Sequence, residues 1–533
     1  MEQLGIAAAE TGTPDQARME TLRKEFLFGK GNVQGTVSFY DFLKEENKGK
    51  KVYVCNGSAC LTAGTQPELR EKLQKHFSAD QIGEMCCLGR CHENAAFNLE
   101  GKNYSGSSIE RISEIINHKK AFPDQYHVAS TGGGFLTDLK FSDQEIIDLV
   151  KREIKKDPEI LLNQIQESNL RGRGGAGFPI SFKLKACREA SGKDKFIVCN
   201  ADEGDPGAYS DRYLLEHRPL LVLAGMMLAG RITGANWGVL YIRAEYPESI
   251  LVIENAIKLF KLSGLTGSET DFRFEFKIIR AQGAYICGEE TALLSSIEGQ
   301  RPEVRVRPPY PAQKGLFNQP TVVNNVETLA NLPVIIKHGG KVFGSTGTTK
   351  SSGTKLISLD GFFNRPGIYE VDMGTSLQKV IDELGGGFRV PVKALHIGGP
   401  LGGLVPVNKI NQLSIDFESF SQNGFLLGHA SVICIPDSFP IIEYIEHLFS
   451  FTAHESCGKC FPCRIGSVRG TEMIHQARTG SYKIDGQLMH DLLETLESGS
   501  LCMLGGGLPL PVRNALSYFK EELKPYFTNP ESI

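Results

Sequence analysis

Apolar and polar positions change rhythm several times along this chain of 533 residues. Residues 1–48 are polar with helical periodicity and few turn signals. A strand-like run from Lys51 to Cys55 follows, then an amphipathic helix from Pro67 to Phe77, the stretch Ile82 to Met85 leading to the next cysteines, and a hairpin where Ala95–Leu99 meets Glu100 and Gly101. This reads as a small α/β unit ending near residue 120. The Gly-rich stretch Tyr126 to Thr137 reads as a linker. From about 140 to 340, apolar strands at Phe196–Cys199, Gly238–Ile242 and Phe272–Ile279 alternate with helices at 145–155, 213–230 and 248–263. Such alternation predicts an α/β layer structure on a largely parallel sheet.

After the Gly/Ser/Thr-rich stretch Gly344–Gly353 the pattern becomes β-rich over 354–435, with one helix at 376–384 that ends in three glycines. From 439 onward it is helical, with Cys-rich loops. The most apolar stretch, Leu220 to Gly230 between Arg218 and Arg231, is too short for a bilayer, which needs about 20 apolar residues. It predicts a buried helix, and no membrane span is expected. Glu2, Glu10 and Asp15 stand where the apolar core of a targeting segment would lie, so a cytoplasmic protein is expected. A formal net charge of −4 gives no reason to expect nucleic acid as a partner.

Nine of the thirteen cysteines crowd into residues 55–91 and 457–502. The other four, Cys187, Cys199, Cys287 and Cys434, sit in apolar or Gly-rich settings and are expected to be buried thiols. Cys457, Cys460 and Cys463 form a C-x2-C-x2-C run, with Cys502 39 residues later. Three close cysteines and one distant one suit a 4Fe–4S cluster, whose corners are reached from one short loop. Gly458 lets that loop turn, and Lys459 and Arg464 offset cluster charge. A structural zinc site is the alternative, although zinc favours cysteine pairs. Cys55 and Cys60 form C-x4-C, and Cys86, Cys87 and Cys91 follow. Two pairs on two loops suit a 2Fe–2S cluster, each iron taking two thiolates. Zinc or unligated thiols are the alternatives, and spacing does not decide between Cys86 and Cys87.

The segment from Arg171 to Lys183 holds four glycines at 172, 174, 175 and 177. Backbone N–H groups there can approach an anion, helped by the N-terminus of a following helix, with Lys183 as a compensating charge. The loop matches neither a Walker A loop nor, with certainty, a dinucleotide fingerprint. Its neighbours strengthen the reading. The strand Phe196–Cys199 runs into Asn200, Asp202, Glu203 and Asp205, where ligands bind at strand C-termini of α/β sheets. The segment Gly283–Thr291 reads as the same form, strand then glycine then acids, with Tyr285, Gly288, Glu289 and Glu290. Asn324 and Asn325 follow another apolar run and can hydrogen-bond a phosphate or the polar edge of a ring. Acid pairs and Asn pairs are otherwise ordinary turn residues.

Together GRGGAGFP at 172–179, NADEGDPG at 200–207, GAYICGEETAL at 283–293, NNVETLANLP at 324–333 and ESCGKCFPCR at 455–464 with Cys502 resemble the NADH-binding flavoprotein family. This is the 51-kDa type of respiratory complex I, with its soluble relatives in NAD-reducing hydrogenases, electron-bifurcating hydrogenases and formate dehydrogenases. The likeness runs from about residue 30 to 515. The N-terminal part resembles the thioredoxin-like 2Fe–2S (24-kDa-type) subunit, fused in front as in the soluble relatives. Asp205, where the complex I branch usually has Glu, points the same way.

The resemblance implies a multidomain α/β protein. Residues 1–48 would be a helical segment and 49–120 a thioredoxin-like 2Fe–2S domain. Then come a Rossmann-like FMN/NADH domain at 121–345, a small β-grasp-like (SLBB) domain at 346–436 and a helical 4Fe–4S domain at 437–533. It makes Cys55, Cys60, Cys87 and Cys91 the 2Fe–2S ligands, leaving Cys86 as a buried neighbour, and Cys457, Cys460, Cys463 and Cys502 the 4Fe–4S ligands. Gly172, Gly174, Lys183, Asn200, Asp202, Tyr285, Gly288, Glu289, Asn324 and Asn325 would hold FMN, with Arg173, Gly175 and Gly177 completing the loop. Phe178, with Tyr310, would pack on the adenine of NADH, Glu290 would face the adenosine ribose and disfavour NADPH, and Glu203 and Asp205 would line the nicotinamide side. Arg307 stands near a position often held by Lys.

A second adenine-stacking aromatic expected just after Lys183 is missing, with Ala186 or Cys187 in its place, a loss worth about 1 kcal/mol. The implied reaction is hydride exchange between nicotinamide and flavin, followed by one-electron transfer to iron–sulfur clusters, without a catalytic acid or nucleophile from the protein. Partners would be further iron–sulfur and catalytic subunits, whether hydrogenase, formate dehydrogenase or ferredoxin-linked. The rival readings are a bifurcating subunit coupling NADH and ferredoxin, a non-catalytic electron-transfer scaffold and a zinc-stabilised interaction protein.

Overall fold

A computed structural model of the protein describes residues 2–8, 12–118, 124–132, 134–266 and 272–529. The expected boundary near residue 120 and Gly133 of the expected linker lie outside them. Fourteen strands in three sheets order the described chain.

The first sheet runs β2-β1-β3-β4, built from β1 (Val52–Cys55), β2 (Ile82–Met85), β3 (Phe97–Leu99) and β4 (Lys102–Tyr104). β1 is parallel to β2 and antiparallel to β3. Val52 and Val54 bury one face against Leu69, Leu73 and Phe97, while the chain leaving β1 carries Cys55 into the interior. The helices Glu2–Ala8, Gln16–Glu25 and Lys30–Val37 pack elsewhere. Leu4, Leu22, Val33 and Tyr40 join Val239 and Tyr241 in one apolar cluster, and Tyr40 donates to Ser296 at 2.7 Å.

Between these units lies β5 (His127–Ser130). The stretch read as a linker is therefore partly a strand. It pairs in parallel with a strand about 240 residues later, and all four of its residues are exposed, which is why no apolar rhythm announced it.

The second sheet, ordered β8-β7-β6-β9, is wholly parallel: β6 (Phe196–Ala201), β7 (Trp237–Ile242), β8 (Glu275–Arg280) and β9 (Thr321–Asn325). The helix Pro219–Thr233 is buried almost throughout, as its apolar sequence requires. It crosses the helix Val326–His338 so closely that a Cβ on Gly225 would stand 1.9 Å from the Leu329 carbonyl oxygen. The segment Tyr285–Gly288, read as the end of a strand, is a short 3-10 turn after β8; the glycine-flanked backbone turns toward the sheet's C-terminal edge there.

The third sheet is mixed, ordered β13-β12-β14-β10-β11-β5, with β10 (Thr354–Leu359), β11 (Gly367–Asp372), β12 (Val392–Ile397), β13 (Gly403–Pro406) and β14 (Ser431–Pro436). Helices Ile441–Glu455, Ser467–Thr479, Gly486–Gly499 and Pro509–Tyr518 close the chain around a core that includes Tyr444, Leu448, Leu493 and Leu516. Among the described residues, no helix is long and apolar enough to cross a membrane.

Candidate active site

The C-terminal ends of β6 and β9 deliver Asn200, Asn324 and Asn325 to one edge of the parallel sheet, where such sheets bind ligands. The Gly-rich loop enters the same edge. Gly172 N–H donates to the Phe178 carbonyl at 2.8 Å, closing the loop on itself, and the helix Ile180–Glu189 starts immediately after it. Gly175 takes φ +127° and Gly177 φ +60°, conformations that favour glycine. Gly172 and Gly288 need no such freedom, and an added Cβ at either would meet nothing nearer than 3.5 Å. The protein itself thus gives no packing reason for glycine at these two places, whereas a ligand lying against the backbone does.

Hydrogen bonds tie the motifs into one cradle. Asn200 Nδ2 donates to the Gly288 carbonyl at 2.8 Å and its Oδ1 accepts from Asp202 N–H. Asn325 caps the helix Val326–His338 through Thr328 N–H at 2.9 Å, and Glu289 caps the helix Glu290–Ile297 through Thr291 and Ala292 N–H. Lys183 Nζ donates to Glu290 at 3.0 Å and to the Val323 carbonyl; Arg307 pairs with the other oxygen of Glu290 at 3.0 Å. Two buried polar atoms of the cradle, Asp202 Oδ2 and Asn324 Nδ2, have no protein partner. Burial raises the Asp202 carboxyl well above its ordinary range. Open glycines and unpartnered buried polar atoms fit a polar, phosphate-bearing ring system.

Not every expected side chain faces this space. Arg173 is fully buried and donates to the Arg171 and Ser352 carbonyls, bracing the loop from behind. The Glu203 carboxylate is occupied by Asp211 N–H at 2.8 Å, Arg212 N–H at 3.0 Å and the Tyr246 hydroxyl at 3.1 Å, the two N–H donors lying at the start of the helix Ser210–His217. Asp205 accepts from the Tyr285 hydroxyl at 2.7 Å, with burial raising its pKa. Phe178 and Tyr310 are exposed.

Sequence reasoning missed three participants. Phe182 is exposed and meets Phe178 edge-to-face at 5.8 Å, supplying an aromatic neighbour in place of the one expected after Lys183. Its spacing of four from Phe178 was the available signal. Arg243, just past β7, donates to the carbonyls of Glu203 and Cys86 and pairs with Glu245 at 2.8 Å. Glu455, two residues before Cys457, accepts from Tyr285 N–H at 2.8 Å and so joins the C-terminal loop to the cradle.

Both cysteine groups adjoin this cradle. Cys55, Cys60, Cys87 and Cys91 are each at most 2% exposed. Cys87 and Cys91 sulfurs lie 3.4 Å apart, and Cys91 Sγ accepts from Gly207 N–H, at the end of the NADEGDPG segment, at 3.2 Å. The Cys55 thiol beside it and burial push Cys87 up to about 12, only partly countered by Cys91. Cys86 is more exposed and sits by Gly57, outside that sulfur contact. At the second group, Gly458 turns the loop at φ +80°, Cys463 Sγ lies 3.3 Å from Ser456 Oγ, and burial pushes Cys463 up to about 11 and Cys502 to about 12. Lys459 pairs with Glu303 and Arg464 donates to the Gly458 carbonyl. Crowded buried thiols resist ionisation unless a cationic centre binds the thiolates, so both groups fit metal clusters. Cys187, Cys199, Cys287 and Cys434 are free, buried thiols, as expected.

A flavin cradle flanked by two four-cysteine groups defines an iron–sulfur flavoprotein. The chain belongs to the NADH-binding flavoprotein family of complex I and the NAD-reducing hydrogenases. Its residues 165–334 match the Nuo51 FMN-binding domain, 443–526 the NADH-ubiquinone oxidoreductase-F iron–sulfur binding region, and 1–120 the thioredoxin-like [2Fe-2S] ferredoxin. It is 37% identical over 383 residues to the mitochondrial NADH dehydrogenase (ubiquinone) flavoprotein 1 of Dictyostelium discoideum, covering 70% of this chain and 80% of that one. It is 32% identical over 526 residues to NAD-reducing hydrogenase HoxS subunit alpha of Cupriavidus necator, covering 92% and 85%. A chain of a crystal structure of NAD+-reducing [NiFe]-hydrogenase in the H2-reduced state superposes with a TM-score of 0.87 at 29% identity, over 96% of this chain and 90% of that one. The protein is an NAD(H)-dependent oxidoreductase with FMN, one 2Fe–2S and one 4Fe–4S cluster.

Proposed function

We propose that this chain is the NAD(H)-reacting diaphorase subunit of a multi-subunit NAD-reducing hydrogenase. The observation that carries the reading is length. The HoxS alpha relative and the hydrogenase structure align with nearly the whole chain, the N-terminal cysteine group included, whereas the mitochondrial flavoprotein aligns with 70% of it. Bound FMN would supply hydride exchange with nicotinamide and the division of that pair into single electrons for the clusters.

In this reading the Gly172–Gly177 backbone and the helix start at Ile180 receive the flavin phosphate, with Lys183 as the cation. Asn200, Asp202, Asn324 and Asn325 hold the rest of the flavin; the two atoms left without partners, Asp202 Oδ2 and Asn324 Nδ2, gain them there. Phe178, Phe182 and Tyr310 form an exposed aromatic border for adenine. Glu290, held between Lys183 and Arg307, accepts from ribose hydroxyls and repels a further phosphate. Cys55, Cys60, Cys87 and Cys91 hold the 2Fe–2S cluster; Cys457, Cys460, Cys463 and Cys502 hold the 4Fe–4S cluster. The residue ranges 1–48, 49–120, 121–345, 346–436 and 437–533 serve as the domain division, except that β5 joins the sheet of the 346–436 unit.

Purification of the native complex under anaerobic conditions tests the assignment. Hydrogenase subunits and H2-driven reduction of NAD+ are expected. Co-purifying formate dehydrogenase subunits with formate-driven reduction, or a ferredoxin requirement, would replace the hydrogenase assignment.

A further inference from the structure

Acids crowd at and behind the cradle. Asp202, Glu203, Asp205 and Asp211 are all buried or nearly so. A hydride brings two electrons and one proton, so a flavin reduced in this place gains a negative charge beside four carboxyl groups. Most nearby cations are already engaged. Lys183 pairs with Glu290, Arg243 with Glu245, and Lys355 with the buried Glu327.

His429 differs. It lies in the turn leading into β14 and is 6% exposed. Its Nε2 is 3.3 Å from Asp211 Oδ2 and 3.9 Å from Glu203 Oε1, while its Nδ1 is buried without any protein partner. The preceding residue, Gly428, comes within 4.0 Å of where a Cβ on Gly175 of the Gly-rich loop would stand. Asp211 also accepts from Asn325 Nδ2 at 3.4 Å, and so links the imidazole to a residue of the cradle. An imidazolium needs an acceptor for each of its two N–H groups, and leaving one buried and unmade costs about 1–3 kcal/mol.

Taking FMN in this cradle as given, we propose that His429, placed beside the cradle through Asp211 and Asn325, is the cation that stabilises the reduced flavin. The charge state supports the geometry. Burial lowers the imidazole's pKa, but the facing Asp211 carboxylate, with Glu203 adding to it, overcomes that and pushes His429 up to about 9. Lys355, itself paired with Glu327, works in the opposite sense, and Asp205 also feels the imidazole. Below about pH 9 the side chain is therefore positive; above it, the oxidised protein carries a neutral imidazole that takes up a proton as the flavin is reduced.

The test is the midpoint potential of the bound flavin, measured anaerobically against redox dyes in the purified protein, the His429→Gln variant and the His429→Arg variant. His429→Gln should lower the potential by about 30 mV or more, a tenfold loss in the two-electron equilibrium constant, and His429→Arg should restore most of it. Flavin content is read by fluorescence after denaturation. A His429→Gln protein with full flavin and an unchanged potential overturns the proposal, while NADH reduction of that flavin leaves the assignment of the cradle intact. The unmodified protein provides an independent test. Its potential should follow one proton per electron pair below about pH 9 and two above it. A single slope through that range contradicts the proposal even if neither variant retains flavin.

Discussion

The two cysteine groups are built from the same four-thiol chemistry but meet the solvent differently. Cys55, Cys60, Cys87 and Cys91 are sealed, with Gly207 N–H bonded to one sulfur and Arg243 bonded to the carbonyl of Cys86. Cys460 and Cys502 are partly exposed, and the chain around them displays Phe461 at 70% exposure with Ile465, Leu501 and Met503. An iron centre in the sealed group exchanges electrons only through the protein. One in the second group stands behind an apolar rim, the kind of surface that a partner covers. In the proposed diaphorase the sealed group would be an inner store beside the cradle and the exposed one an outlet at the surface.

The largest effect that would break this comparison is at the outlet. Cys463→Ser should remove one cluster's iron and cut NADH-driven reduction of one-electron acceptors by more than about tenfold, while NADH still bleaches the flavin. Unimpaired acceptor reduction with the iron gone would move the outlet elsewhere. At the sealed group, Cys87→Ser should abolish the 2Fe–2S absorbance and EPR signal, whereas Cys86→Ala should keep both; the reverse outcome would reassign the ligand. Between the two groups, Glu290→Gln should raise NADPH use relative to NADH by about tenfold, roughly 1.4 kcal/mol, by removing one like charge. Dye-reduction kinetics with each nucleotide read this, and unchanged selectivity would count against the ribose role. The smallest effect belongs to the rim. Phe461→Glu should leave iron content intact and weaken retention of the partner subunits during gel filtration by roughly 1–2 kcal/mol.

The outlet was legible in the sequence because its chemistry is local: Cys457, Cys460 and Cys463 lie within seven residues, and Gly458 marks the turn. The sealed group was legible only in outline. Cys86 and Cys87 are neighbours, and what separates them is that the Cys87 sulfur meets both Cys91 in its own loop and Cys55 on the other, the latter a tertiary fact. The parallel sheet announced itself through buried apolar runs, but β5 is exposed and finds its partner far along the chain, so neither rhythm nor proximity revealed it. Glycines and acids of the cradle stood out through the family resemblance of the motifs that carry them, since a Gly-rich loop or an acid pair alone is a weak signal. The inward turn of Arg173 and Glu203 could not be read, because carbonyls of Arg171 and Ser352 and N–H groups of a helix start compete for those charges. His429 was overlooked for a related reason, since it gains its meaning from Asp211, which folding brings up, whereas Phe182 could have been read from its spacing of four from Phe178.

Anaerobic addition of NADH to the purified chain, followed by optical and EPR spectra, reads the whole path from nicotinamide through flavin to iron. The flavin band should bleach, and EPR signals of two distinct reduced iron–sulfur clusters should appear. Flavin and iron spectra that NADH leaves unchanged would contradict that path.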